Sequence, residues 1–186
     1  GGGGGGGASL VQRFSSPRVD DAGLALTDAL VSGVVVPCLV AVTTIAAGGA
    51  MARPSWLAGA AAGRGGFLAP TLAHGSALCV CWLLGALAAR AYERERYTGD
   101  AALPTTLRAG AFAVGVLVLA TQAKLVLTTG APLSAVLDAP AVPPATDLDA
   151  AKLQAGDELI VDAAAEALGM VVWRLGRAAE EADQQV

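Results

Sequence analysis

Charge is scarce in this chain. Only 15% of its 186 residues are Asp, Glu, Lys or Arg, against about 25% in soluble domains, and this excludes an ordinary cytosolic globule. Twelve Lys+Arg stand against 16 Asp+Glu, for a net charge of −4. No basic stripe forms, which excludes a nucleic-acid partner. Histidine is almost absent, since His74 is the single one, and a lone imidazole builds neither a metal site nor a catalytic relay. Three cysteines, an odd number, do not make a secreted disulfide framework. Cys79 and Cys81 are two residues apart, about 200° around a helix, so they cannot share a metal. With Cys38 they read as small buried hydrophobes. Neither a nucleophile elbow nor a phosphate loop nor a GxGxxG turn is present. The expectation is a protein that is not an enzyme.

What the chain has is apolar length: 54% of it is hydrophobic and its mean hydropathy is +0.58. A spanning helix needs about 20 mostly apolar residues. The first such stretch covers 24–48, uncharged from Ala29 to Ala47, with Pro37 in its middle and Gly48-Gly49 closing it. Neighbouring helices tolerate such a proline when they satisfy the carbonyl it frees. A second stretch, 67–91, is interrupted only by His74 and leaves through Arg90, Tyr92, Arg94, Arg96 and Tyr97, an aromatic and cationic belt. Ala73, Ala77, Cys81, Gly85 and Ala89 recur every four residues along it, a small-residue ridge for close helix packing. The third, 105–128, starts after Pro104, contains Gln122 and Lys124, and stops at Gly130. Residues 131–156 read as an aqueous loop.

The fourth stretch, 158–178, is of a different kind. Glu158, Asp162 and Glu166 share one helical face, and Ile160, Val161, Ala164, Leu168, Val172 and Leu175 gather on the opposite arc. This pattern suits a span whose acids face sister helices or a helix lying in the interface. Four spans put Arg13, Arg18, Arg90, Arg94, Arg96, Arg108, Arg174 and Arg177 on one side, against Arg53, Arg64 and Lys152 on the other. The positive-inside rule therefore prefers four. The expected architecture is all-α, a polytopic four-helix transmembrane bundle over 22–179 with extramembrane loops, a flexible N-terminal tail (1–21) and a C-terminal tail (180–186). Seven glycines open the chain without a Met, and an acid-free segment containing Ser and Arg follows. A flexible terminus and the remnant of an organelle transit sequence both fit.

Few side chains are left to carry chemistry. His74, Gln122 and Glu166 are candidate axial ligands for a chlorophyll magnesium, which needs one protein donor. The alternative for His74 is a hydrogen bond to a neighbouring helix. Lys124 is expected to pair with Asp162 or Glu166, so that no charge faces lipid alone. Asp28 reads as an interfacial acid. Together Asp28, Lys124, Asp162 and Glu166 also sketch a proton path.

The order of these features resembles the DUF3054 family, four-span proteins of bacteria and plastid-bearing eukaryotes. The likeness rests on a first span entered through Leu26-Thr27-Asp28 and a second opening on Pro70 and running to Gly85 and Tyr92. A third leads to Lys124 and Gly130, and a last ends in Trp173-Arg174. It covers most of 22–177 and implies an architecture without an activity. The leading expectation is a non-catalytic accessory or scaffold subunit of a large membrane complex, an algal photosystem I with its light-harvesting antenna in the thylakoid. It would pack against other membrane subunits, lipids and pigments (chlorophyll and carotenoid). The alternatives are a small proton-coupled carrier or channel, and an accessory subunit of a respiratory complex in the mitochondrial inner membrane.

Overall fold

A computed structural model describes residues 18–47, 53–58, 66–130 and 147–183. Every regular element among them is helical. Helix α1 (Ala22–Ala46) is followed by the single turn α2 (Ser55–Ala58), then α3 (Leu68–Ala88) and a second short turn, α4 (Arg94–Tyr97). A 3-10 turn (Gly99–Ala101) then leads into the long helix α5 (Ala102–Thr129), and α6 (Asp147–Asp183) follows. Three stretches are long and apolar enough to cross a membrane: Ala22–Ala46, Leu68–Ala88 and Gly99–Thr128, with mean hydropathies of 2.3, 1.6 and 1.8. The four long helices form a ring in which α3 packs against α1 and α5, and α6 packs against α5 and α1.

Two expectations about boundaries are corrected. Helix α6 begins at Asp147, inside the stretch 131–156 read as a loop, because residues 150–155 (AAKLQA) are strong helix formers once Pro143-Pro144 is passed. Residues 18–21, expected in the flexible tail, are held in place. The Asp20 N–H donates to the Tyr92 carbonyl at 3.0 Å, and the Arg94 N–H donates to Asp20 Oδ2 at 3.0 Å. That backbone donor, aided by Arg18, holds the Asp20 carboxyl below its ordinary range. Asp21 then caps α1 by accepting from the Leu24 N–H at 2.9 Å. The rest of the tail, residues 131–146 of the loop and residues 184–186 lie outside the described residues.

Pro37 shapes α1. A proline has no N–H for the carbonyl four residues earlier, which here is Gly33. The helix responds by widening into a π-helical turn at Val31–Val35, with the Val36 N–H returning to the Val31 carbonyl. The Gly33 carbonyl is thereby turned onto α3, where it meets Gly75. A methyl group on Gly75 would overlap that oxygen, so the two backbones touch through a glycine pair.

A second close crossing joins α3 to α5. A Cβ on Gly85 would lie 2.5 Å from the Ala113 nitrogen and 2.6 Å from the Ala109 carbonyl oxygen. Of the five positions in the expected ridge, Cys81, Gly85 and Ala89 are buried, whereas Ala73 and Ala77 are exposed. The inward face of α3 runs instead through Thr71, Gly75, Leu78 and Trp82, because the approach of Gly33 turns Gly75 toward α1.

Helix α6 is inverted relative to a soluble helix. Asp162, Glu166, Met170 and Arg174, spaced four apart, are buried. Ile160, Leu168 and Val172 are 68%, 68% and 69% exposed. In water the apolar arc would be driven inward; here the charged face is the inner one.

Replacing Gly75 by Leu forces backbone apart at the α1–α3 crossing and should destabilise the fold by about 3 kcal/mol or more. Gly110→Ala, whose added methyl has only the Trp82 ring 3.9 Å away, should leave stability unchanged. Thermal unfolding in detergent reads both, and equal melting temperatures for the two variants would refute the crossing.

Candidate functional site

Asp28 is fully buried and lies at the meeting point of three helices. Its Oδ1 accepts from Trp173 Nε1 at 3.1 Å. Its Oδ2 accepts from Trp82 Nε1 at 3.0 Å, from the Tyr92 hydroxyl at 3.1 Å, and from both Nε (3.2 Å) and Nη2 of Arg174. Arg174 Nη1 donates to the Ala91 carbonyl at 3.0 Å, and the guanidinium lies 5.2 Å from the Tyr92 ring centre and 5.8 Å from that of Trp82. Arg174 is therefore a bundle cation and not one of the loop charges, and the expected eight-to-three contrast loses one member. Asp28 is likewise an interior acid and not an interfacial one.

The chain reaches this arrangement through a strained turn after α3. Arg90 adopts a left-handed conformation, φ 58°. The Ala91 N–H bonds back to the Ala86 carbonyl at 2.8 Å and the Arg90 N–H to Leu87 at 3.1 Å, a closure that ordinarily uses glycine. It sets the Ala91 carbonyl on Arg174 and Tyr92 on Asp28, while the exposed Arg90 side chain pairs with Glu93 at 3.0 Å.

A polar ladder continues from this cage along the inner face of α6. Ser32, four residues past Asp28 on α1, adjoins Glu166. The Ser32 hydroxyl and both Glu166 carboxylate oxygens are buried with no hydrogen-bond partner among the described residues. One turn earlier, Asp162 Oδ1 meets His74 Nε2 at 3.1 Å, and the His74 ring stacks on Trp56 with centroids 4.5 Å apart and planes 7° from parallel. One turn earlier again, Glu158 takes the Ser55 backbone N–H, the Ser55 hydroxyl at 2.9 Å and Gln154 Nε2 at 3.1 Å. From Glu158 to Arg174 the ladder rises about 24 Å, at about 1.5 Å per residue.

Beside its Glu158–Asp162 half is a cavity of about 330 Å³. Ser55, Trp56, His74, Glu158 and Asp162 line one side, and Thr121, Lys124 and Thr128 of α5 the other, over apolar patches from Leu117, Leu125 and Leu159.

The structure redistributes the anticipated site residues. Lys124 shares the cavity with Asp162 but forms no ion pair among the described residues. Asp162 pairs with His74, which approaches from the diagonal helix, while Lys124 is exposed on α5. The expected Lys124–Asp162/Glu166 pair is thus corrected. His74 has a hydrogen bond to another helix, through Nε2 to Asp162. Gln122 is half-buried on α5 and Glu166 is buried on α6. Ser32, Trp56, Trp82, Tyr92 and Arg174 have no site role in the sequence reading, and Asp28 enters it only as an interfacial acid and a member of the sketched proton path. One signal for Arg174 was available, since it continues the four-residue spacing of Glu158, Asp162 and Glu166.

The chain matches no family model, no curated protein and no solved structure. Its chemistry is read from its own geometry.

Removing one partner of a buried ion pair leaves the other charge uncompensated, at a cost of about 3–5 kcal/mol. Asp28→Ala should lose about that much stability. Asp28→Leu combined with Arg174→Met should recover most of the loss, because no orphaned guanidinium remains. Melting curves in detergent distinguish the outcomes, and a double variant as unstable as the single one would count against the pairing.

Proposed function

We propose that this protein is a small proton-coupled membrane carrier, with α6 as its fourth span and the polar ladder as its proton path. The ladder carries the reading. Ionisable side chains inside spans are costly and mark ion and proton pathways. Here four of them, Glu158, Asp162, Glu166 and Arg174, succeed one another over a length close to the roughly 30 Å of a bilayer core. Each meets a partner from another element: Ser55, His74, Ser32 and Asp28. Glu166 and Ser32 adjoin midway but neither has a hydrogen-bond partner among the described residues, and a proton or water would complete them. The cavity is the solute chamber, and His74–Asp162 in its wall passes protons between chamber and ladder.

The inverted exposure of α6 supports the fourth span, since its outward arc suits lipid. A second reading, an accessory subunit of a larger membrane assembly, draws on α5. Only 11% of its apolar stretch is buried, and the remaining surface is free for another subunit or for lipid.

Two measurements test the carrier. In a cysteine-free background, Arg94→Cys and Glu180→Cys should be labelled from the same side of the membrane and Arg53→Cys from the other. Labelling of Glu180→Cys together with Arg53→Cys would place α6 at the interface and remove the ladder from the bilayer. In vesicles with an internal pH dye, the protein should dissipate an imposed pH gradient, and Glu166→Gln should abolish this at unchanged melting temperature. Flux identical in the two proteins would end the proton path.

A further inference from the structure

The cavity carries opposite charges that do not meet. Lys124 on α5 and Asp162 on α6 line the same space, yet neither pairs with the other, and Lys124 has no ion-pair partner among the described residues. Asp162 uses Oδ1 on His74, and its second oxygen has no hydrogen-bond partner among the described residues. Glu158 is saturated by Ser55 and Gln154.

A solute of a single charge would complete one side of this arrangement and leave the other facing a like or unmatched group in a medium of low dielectric. A solute with both charges completes both. The walls between them, Leu117, Leu125, Leu159 and the Trp56–His74 stack, are apolar and aromatic, which suits a short hydrocarbon body. At about 330 Å³ the space lies at the small end of ligand sites.

We propose that the cavity binds a small apolar zwitterion, its ammonium on Asp162 and its carboxylate on Lys124. The inference rests on the cavity being the solute chamber of the carrier, but binding alone tests it, whether or not protons move.

The probes are three molecules of nearly one shape: L-leucine with both charges, isoamylamine with only the ammonium, and 4-methylpentanoate with only the carboxylate. Calorimetric titration of the full chain in detergent should give leucine an affinity at least about tenfold above either analogue, the value of one charge-assisted hydrogen bond. Lys124→Gln should bring leucine down to the level of isoamylamine, and Asp162→Asn should bring it down to that of 4-methylpentanoate. A Leu119→Ala variant on the exposed face of α5 controls for nonspecific effects of substitution and should bind leucine as the parent does. Absence of saturable leucine binding, or equal affinity for all three molecules, overturns the proposal. So does leucine affinity unchanged by Lys124→Gln. Selective leucine binding without proton flux would uphold it while removing the proton coupling.

Discussion

The buried pair of Asp28 and Arg174 is the constraint on which the rest of the bundle depends. Helix α6 has too many charged residues to enter an apolar environment on its own account. It packs against the bundle because its guanidinium finds a carboxylate on α1, a carbonyl on the turn after α3, and two aromatic faces. The donors on Asp28 come from α3, from the turn after it and from α6, so the pair sets the rotation and depth of α6 relative to its neighbours. With Arg174 seated, the four-residue spacing carries Met170, Glu166 and Asp162 inward in turn, and the apolar arc of Ile160, Leu168 and Val172 outward. Such pairs give specificity more than net stability, since desolvation offsets much of the attraction.

The second constraint is made of backbone. Pro37 removes a hydrogen bond from α1, the helix opens into a π turn, and Gly33 then meets Gly75 at a distance that no side chain permits. The same turn contains Ser32, which it brings to Glu166. One proline thus determines both the α1–α3 crossing and the placement of the ladder's central hydroxyl. Gly169 repeats the theme on α6, where an added Cβ would lie 2.5 Å from Val36 Cγ2.

The candidate site was legible in part. The acid stripe of α6 is plain from spacing, as is the interior position of His74. The partner of Asp162 was not: Lys124 looked the natural counter-ion because charge is easily counted, whereas the diagonal approach of His74 depends on how α3 and α6 cross. Ala73 and Ala77 of the expected ridge on α3 are exposed for a similar reason. Spacing finds a row of small residues, but only the Gly33–Gly75 contact decides which row faces inward. Asp28 looked interfacial because it lies early in its apolar run; the return of the chain through Arg90, Ala91 and Tyr92 buries it.

Local sequence decided the number and length of the apolar helices, the capping of α1 by Asp21 and the break at Gly130, since each depends on neighbours within a turn or two. It also decided the stripe of acids on α6, because a helix converts a spacing of four into one face. Tertiary structure alone decided which partner each of those acids meets. Those partners come from positions up to 146 residues away in the chain, and their distances are set by crossing angles and glycine contacts that no local pattern encodes.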